Sequence, residues 1–289
     1  MKIVTRLLTV TILTAFGIAC GSGHRGVPPP VSSRVVLVVE ENHSFSDVIG
    51  NSAMPYLNGL ASKYALATQY FSDAHPSLPN YFMLTVGRPE TNSNDFAGTV
   101  SDDNVVRELV KANKTWRSYA ESLPSAGYTG GDVYPYFKHH DPFVYLSDVL
   151  GTAQANNVIP FSKFSADLAS NSLPDFSFII PNVLDDAHDG SLAAADQWLS
   201  TNIDPLIKSS AFQSNTVLVI VFDESEDSDL AHGGGHIPFI IAGPQIKTGY
   251  RSSTFYQHES TLRLVLSTLG IKSFPGAAAS APDMGEFFK

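Results

Sequence analysis

The amino-acid sequence predicts an α/β fold in which a mostly parallel central sheet is flanked by helices. Its apolar segments are short, continuous and rich in β-branched residues, as in VVLVV at residues 35–39 and TVLVIVF at residues 216–222. Strands of this kind are buried on both faces, which occurs mainly in parallel sheets covered by helices. Segments with helical spacing of apolar residues alternate with these strands, and no internal repeat is present.

The predicted elements follow one another in a regular order. After a strand at RVVLVVE, helical spacing is found in MPYLNGLASKYALATQYF, in YFMLTVG and in NVVRELVKANKTWRSYAESL. Strands are then expected at DFSFIIP, TVLVIVFDE and PFIIAGP, with helices at SLAAADQWLSTNIDPLIKSS and HESTLRLVLSTLGI. Residues 88–175 contain loops rich in Tyr and Pro, where function is expected more than core packing.

Length and composition restrict the classes of function. The chain has 289 residues, of which 43% are hydrophobic and 16% charged, and this suits one sizeable globular domain, expected at residues 34–289. The formal net charge is −10. A surface that binds nucleic acid needs clustered Lys and Arg to neutralise phosphates, so this balance argues against nucleic acid as a partner.

The first residues have the pattern of an export signal. Two basic residues precede an uncharged apolar run at residues 7–19, which is too short for a comfortable membrane span. FGIA before Cys20 is similar to the lipobox of bacterial lipoproteins, and Cys20 is the only cysteine. We therefore predict a signal peptide at residues 1–19 and a tether at residues 20–33 that reaches a membrane if Cys20 is lipidated. The protein would be exported, either as a cell-surface or periplasmic lipoprotein or as a secreted protein.

Polar residues directly follow three of the predicted strands. VVLVV runs into Glu40, Glu41 and Asn42, and TVLVIVF runs into Asp223 and Glu224. IIP is followed by Asn182, Asp185, Asp186 and His188. The carboxyl ends of parallel strands meet at one edge of a sheet, where carboxylates repel one another unless protons or a metal compensate them. The strand ends therefore predict one divalent metal ion held by oxygen ligands; the alternative is three separate solvated loops.

A candidate nucleophile lies in HPSLPNYFMLTVG. Ser77 precedes Pro79 at a predicted helix start. It is either an N-cap residue with no catalytic role or a hydroxyl at a helix N-terminus, where the free N–H groups and the helix dipole favour phosphate binding. A nearby metal would lower the pKa of the hydroxyl and make it a nucleophile. Lys138 and a protonated His140 would offset the negative field around a phosphate, and His236 follows a glycine-rich turn before a strand. A single histidine is nevertheless more often structural than catalytic.

Six segments carry a specific resemblance through their joint order. They are VEENHSF, HPSLPNYFMLTVG, KHHDPF, IIPNVLDDAHDG, VFDESED with GGGHIPFIIAGP, and YQHESTLRLVLSTLGI. Together they resemble the phosphoesterase family of bacterial and fungal acid phosphatases and phospholipases C, a branch of the alkaline-phosphatase-like superfamily. The resemblance covers about residues 34–270. The compact length looks closer to secreted acid phosphatases, including phosphatidylinositol-3-phosphatases, than to the longer phospholipases C.

The resemblance implies four metal ligands, three catalytic residues and three residues that contact the substrate. These are, in that order, Glu41, Asn42, Asp223 and Glu224; Ser77, His188 and His236; and Asn80, His140 and Asp186. Ser77 would attack phosphorus, and His188 or His236 would protonate the leaving oxygen. Glu40 is an alternative to Glu41 as the ligand, and His75 is an alternative to Ser77 as the nucleophile.

The expected function is that of an exported, metal-dependent acid phosphatase. It would hydrolyse small phosphomonoesters or phospholipid headgroups, phosphoinositides among them, through a phosphoseryl intermediate. An imidazolium acid, with an ordinary pKa of about 6.5, favours activity below neutral pH. The alternatives are a phospholipase C-type phosphodiesterase that uses the same site and a non-catalytic surface lipoprotein that binds anions.

Overall fold

A computed structural model describes residues 26–289 of the chain. The predicted signal peptide and Cys20 lie outside the described residues. The last part of the predicted tether packs on the domain, because the N–H of Ser32 donates to the carbonyl of Thr268 at 2.7 Å and Ser32 is buried. The folded part of the chain therefore begins before residue 34.

Eight strands form one sheet. They are β1 (Arg34–Glu40), β2 (Ala65–Ala67), β3 (Trp116–Ala120), β4 (Val158–Pro160), β5 (Phe176–Ile180), β6 (Thr216–Phe222), β7 (Phe239–Ala242) and β8 (Tyr250–Ser252). Their order across the sheet is β4-β3-β5-β1-β6-β7-β2-β8. Strand β7 is antiparallel to both of its neighbours and the other pairings are parallel. The predicted mostly parallel α/β architecture is confirmed.

Nine α-helices of the described region connect and flank these strands. They are α1 (Phe45–Val48), α2 (Pro55–Lys63), α3 (Ser77–Thr85), α4 (Val105–Lys111), α5 (Phe164–Ala169), α6 (Leu192–Asn202), α7 (Asp204–Lys208), α8 (Ser210–Asn215) and α9 (His258–Thr268). Short 3₁₀ turns occur mainly in the long connections. Within residues 26–289, no helix has the length and apolar character needed to cross a membrane.

The central position of β1 explains its apolar sequence. It lies between β5 and β6, so every residue from Val35 to Val39 is fully buried. The parallel register pairs Glu40 with Phe222, so β1 and β6 end side by side. The polar residues that follow the two strands consequently leave the sheet at the same level.

Two segments that were predicted to be helical throughout contain strands. Helix α2 ends at Lys63 and is followed by β2, and helix α4 ends at Lys111 and is followed by β3. Asn113 adopts a left-handed φ of 54°, which stops α4 before the strand. Trp116 and Tyr119 of β3 are buried because the strand pairs with β4 and β5. Pairing within the sheet therefore overrides the local helical spacing.

Candidate active site

The ends of the three central strands meet at the carboxyl edge of the sheet. The backbone N–H of Glu41 donates to the carbonyl of Asp186 at 2.8 Å, and that of Asp223 donates to the carbonyl of Glu40 at 2.9 Å. Asn42 is in the left-handed region, which Asn tolerates better than most residues, and its N–H donates to Asp223 Oδ1 at 3.2 Å. These bonds hold the loops after β1, β5 and β6 against one another.

Ser77 is the first residue of α3 and lies at the same edge. It is buried, and its Oγ is 2.9 Å from Glu224 Oε1 and 3.4 Å from Glu41 Oε2. The N-cap position is occupied by Pro76, and no side chain caps the helix. The interpretation of Ser77 as an N-cap is therefore wrong, and its hydroxyl instead faces two carboxylates at a helix N-terminus.

Burial and mutual repulsion raise the pKa values of the acids in this site. The pKa of Glu41 is raised well above its ordinary value, first by burial and then by the charges of Asp223 and Asp186. Burial raises the pKa of Asp223 to about 6, and burial together with Asp223 raises that of Glu224 to about 9. Asp223 Oδ2 is buried and has no hydrogen-bond partner among the described residues. These hard, buried oxygen donors fit a divalent cation.

A second group of possible metal ligands shares Glu41 with the first and adds His140 and Asp186. Their ligand atoms lie within 4.8 Å of one another, and all three residues are buried. His140 Nδ1 is 3.5 Å from Glu41 Oε1 and 3.6 Å from Asp186 Oδ2. Burial, with a smaller contribution from His188, lowers the pKa of His140 to about 3, so its ring is neutral near pH 7. This direction is opposite to the protonated His140 that the sequence analysis expects beside a phosphate.

Glu41 rather than Glu40 faces the candidate nucleophile. Successive side chains at the end of a strand point to opposite faces, so the two carboxylates diverge. Glu40 is fully buried, and neither of its carboxylate oxygens has a hydrogen-bond partner within residues 26–289. Burial and then the charge of Asp186 raise its pKa well above the ordinary value. The contact with Ser77 favours Glu41 as the ligand.

Two side chains hold the carboxylates on either side of Ser77. The Tyr81 hydroxyl donates to Glu41 Oε1. His75 Nδ1 is 2.5 Å from Glu224 Oε2, while His75 Nε2 is 3.0 Å from the carbonyl of Asp229. Both ring nitrogens of His75 are therefore engaged by the protein, which favours Ser77 as the nucleophile. The sequence prediction missed Tyr81, although its spacing of four residues from Ser77 places both on one helix face.

Asn80 fixes the loop that leads into Ser77. It is fully buried; its Oδ1 accepts the N–H groups of Asp73 and Ala74 at 3.1 Å each, and its Nδ2 donates to the carbonyl of Ala74 at 2.7 Å. In this arrangement the amide bonds to backbone, whereas the family resemblance implies a contact with the phosphoryl oxygens. The glycine-rich turn packs on the same loop, because a Cβ at Gly234 would overlap Ser72 Oγ and the carbonyl of Ala74.

The two candidate acids lie in different surroundings. His188 follows Asp186 in the loop after β5, and its partly exposed ring has a centroid 5.5 Å from that of His140. The ring of His236 instead stacks on Phe45 with centroids 4.4 Å apart, and its Nε2 is 3.1 Å from the carbonyl of Thr68. His188 is therefore linked to the buried carboxylate of Asp186, to which its backbone N–H also donates. The contacts of His236 with Phe45 and Thr68 instead hold its ring in place.

Comparison with known proteins places the chain in a family. The model of the Phosphoesterase family matches residues 51–272. The chain belongs to the Phosphoesterase family. It is 34% identical to the phosphatidylinositol-3-phosphatase of Mycobacterium tuberculosis over 266 residues, covering 90% of this chain and 84% of the relative. It is 30% identical to an acid phosphatase of Aspergillus fumigatus over 247 residues, with 81% of this chain and 54% of the relative covered.

The fold is also shared with a solved structure whose sequence is much less similar. A protein of the alkaline phosphatase superfamily from Vibrio parahaemolyticus superposes with a TM-score of 0.64 at 13% identity, covering 87% of this chain and 71% of that chain. At this identity the likeness concerns the fold alone. The chain spans only about half the length of the fungal acid phosphatase.

Proposed function

We propose that this chain is an exported, metal-dependent acid phosphatase that hydrolyses phosphomonoesters through a phosphoseryl intermediate. The observation that carries the proposal is the buried Ser77 hydroxyl at a helix N-terminus, 2.9 Å from Glu224 and 3.4 Å from Glu41. The names of the relatives, acid phosphatase and phosphatidylinositol-3-phosphatase, support a phosphatase function and suggest phosphoinositides as substrates. The apolar run at residues 7–19 supports export.

One divalent cation would be held by Glu41, Asn42, Asp223 and Glu224. The unpartnered Asp223 Oδ2 and the raised pKa values of the acids support this assignment. When bound, such a cation supplies positive charge that lowers the pKa of a nearby hydroxyl and stabilises phosphoryl oxygens.

The residues around Ser77 support an in-line displacement. Glu224 orients Oγ. At the start of α3 the N–H of Leu78 donates to Asn94 Oδ1 at 2.9 Å and Pro79 has no N–H, so the backbone N–H of Ser77 would be the helix-start donor for the incoming phosphoryl group.

As a bond forms between Ser77 Oγ and phosphorus, the hydroxyl would pass its proton to an ionised Glu224; the bond to the leaving oxygen breaks, and His188 would give that oxygen its proton. Water then attacks the phosphoserine and would give a proton to His188. The bond between phosphorus and Oγ breaks, Glu224 would return its proton to Oγ, and inorganic phosphate leaves.

Replacement of Ser77 by Ala tests the proposal. We expect S77A to lose turnover of p-nitrophenyl phosphate and to trap no phosphorylated protein after acid quenching, because the group that bonds to phosphorus is gone. Metal binding, measured by calorimetry, should persist. The matched control is S177A, which removes the hydroxyl of another buried serine, the second residue of β5. Turnover by S77A at the rate of S177A would remove Ser77 from this role.

The same assay distinguishes the alternatives. Faster hydrolysis of p-nitrophenylphosphorylcholine than of p-nitrophenyl phosphate would indicate a phospholipase C-type phosphodiesterase. An exported protein with no chelator-sensitive hydrolysis of phosphomonoesters, phosphodiesters or phosphoinositides would instead be a non-catalytic, anion-binding lipoprotein.

A further inference from the structure

Five large apolar side chains are exposed on loops around the candidate active site. We call them the apolar rim: Val133 is 45% exposed, Tyr134 60%, Leu184 42%, Leu230 69% and Phe255 41%. Single exposed apolar side chains are ordinary, whereas several gathered in one patch mark a surface that meets another molecule. The other large apolar side chains exposed in the described part of the chain are Val27, Val31 and Val110.

The rim lies at one edge of the sheet because each of its loops follows a strand end there. The loops that carry Val133 and Tyr134, Leu184, and Leu230 follow β3, β5 and β6, which are all parallel to β1. Phe255 follows β8, which is parallel to β2; β2 and β6 are both antiparallel to β7. Strand β8 therefore ends at the carboxyl edge, where Ser77 also lies.

Direct contacts connect the rim to the site on two sides. The N–H of Val183 donates to the carbonyl of Pro135 at 3.2 Å, which joins the loops of Tyr134 and Leu184. The ring of Phe137 lies 6.2 Å from that of Tyr134 and 5.7 Å from that of His188. On the other side, Phe255 stacks with Phe71 and lies 4.7 Å from His232, in the segment that follows Glu224.

We propose that the apolar rim inserts into the interfacial layer of a zwitterionic phospholipid bilayer, so that the site meets phosphate esters presented at a lipid surface. This inference rests on the proposed phosphatase function and specifies how its substrate is reached. Tyr and Phe are suited to this layer because an apolar ring carries or adjoins polar groups that stay in water. Insertion would remove the exposed apolar area from water without unfolding any element.

The charges on the same loops decide which kind of surface fits. Asp132, Asp189, Glu226 and Asp227 are exposed beside the rim, and the chain as a whole has a formal charge of −10. An anionic bilayer would be repelled by these carboxylates, and a second copy docking through the same face would place acid against acid. A zwitterionic lipid surface avoids both penalties.

Tryptophan reporters test the insertion directly. In a full-length chain that also carries S77A, we expect Y134W and F255W to shift their emission to the blue with phosphatidylcholine vesicles, and brominated lipid to quench them. Trp116 and Trp198 are 2% and 5% exposed and give a constant background. The matched control is V110W, which reports an exposed apolar position outside the rim and should not change. Because S77A is inactive under the proposed function, this readout does not depend on hydrolysis.

Three results would overturn the inference. The first is no difference between the rim reporters and V110W. The second is a larger shift with phosphatidylserine vesicles than with phosphatidylcholine vesicles. The third is a shift that appears with rising protein concentration in the absence of lipid, which would mean that a second copy covers the rim.

A kinetic comparison in the active chain completes the test. We expect the double substitution Y134S and L184S to lower hydrolysis of phosphatidylinositol 3-phosphate in phosphatidylcholine vesicles roughly tenfold, because two apolar side chains no longer insert. Turnover of soluble p-nitrophenyl phosphate should stay unchanged. Equal losses on both substrates would overturn the lipid role of the rim, whereas a lack of turnover of either substrate in the unsubstituted chain would contradict the proposed function instead.

Discussion

Both carboxylate oxygens of Glu41 are held from one face of α3. Ser77 Oγ lies 3.4 Å from Oε2, and the hydroxyl of Tyr81 donates to Oε1. Residues four apart in a helix lie on the same face, so the candidate nucleophile Ser77 and Tyr81, which orients the carboxylate, are positioned together. Hydrogen bonds of this type keep a metal ligand in a fixed orientation.

Removal of the Tyr81 hydroxyl should weaken metal binding. We expect Y81F to need roughly 10- to 100-fold more metal for half-maximal activity, because one oxygen of Glu41 loses its donor while the ring keeps its stacking on His140. The measurement is a titration of the chelated protein with divalent metal. Excess metal should restore most of the turnover, which a general loss of structure would not allow.

Another buried tyrosine provides the control for Y81F. The hydroxyl of Tyr119 on β3 donates to Asp167 at 2.7 Å, outside the candidate site. Y119F should therefore keep the metal requirement of the unsubstituted chain. If Y81F and Y119F titrate alike, Tyr81 does not orient a metal ligand.

Only some of these residue contacts follow from sequence. The partnership of Ser77 with Tyr81 is readable from helical spacing once the helix start is known. The contact between His75 and Glu224 joins positions 149 residues apart, and no local pattern encodes it. The diverging roles of Glu40 and Glu41 depend on which face of β1 meets α3, and this too is a tertiary property.

At the scale of elements, α3 depends on the loop before it. That loop is fixed by the amide of Asn80, which bonds to the backbone of Asp73 and Ala74, and by the close approach of the turn at Gly234. The position of Ser77 is consequently set by backbone contacts on both sides of the loop.

Replacement of Asn80 by Ala should loosen this loop. We expect N80A to lose about 1–3 kcal/mol of unfolding free energy, because two partly buried N–H groups lose their acceptor. Hydrogen exchange at Asp73 and Ala74 should become faster, and kcat should fall as Ser77 becomes less well oriented. Exchange mass spectrometry and denaturant unfolding provide the measurements.

A second buried asparagine separates this effect from general destabilisation. Asn104 caps α4 by accepting the N–H of Arg107, so N104A should lower stability without changing kcat or exchange at Asp73. Unchanged exchange in N80A, together with weaker inhibition by inorganic phosphate, would mean that Asn80 contacts the phosphoryl group instead.

The elements themselves were predictable where burial and pattern agree. β1, β5 and β6 lie at the centre of the sheet and are almost completely buried, and each sequence accordingly contains a run of apolar residues. β2 and β3 were missed because each follows a helix closely and continues its apolar spacing. Their strand conformation is decided by partners distant in sequence, such as β7 and β5.

At the scale of the whole molecule, the sheet order assembles the candidate site. The three loops that meet there follow strands at positions 34–40, 176–180 and 216–222, which are neighbours only in the folded sheet. The fold class and the gathering of acids at one edge could be predicted, because parallel strands must end together. The order of the strands, and with it the group formed by Glu41, His140 and Asp186, required the structure.

This concentration of buried acids makes the stability of the whole protein depend on pH and on metal. Burial raises the pKa of Asp223 to about 6, that of Asp186 to about 8 and that of Glu224 to about 9 in the metal-free protein. The native state therefore holds protons that the unfolded chain has already released. Metal-free stability should be greatest near the ordinary carboxyl pKa and should fall as pH rises through this window, by about 1.4 kcal/mol per pH unit for each retained proton.

A bound cation should reverse this dependence, because it favours the ionised acids and displaces their protons. We expect the difference in Tm between metal-loaded and chelated protein to be small at pH 5 and to increase steadily towards pH 8, measured by calorimetry. E41Q removes one of the repelling charges and one ligand, so its metal-free form should lose less stability with rising pH and gain less from metal. A difference in Tm that stays constant over this range would show that the cation binds away from these acids.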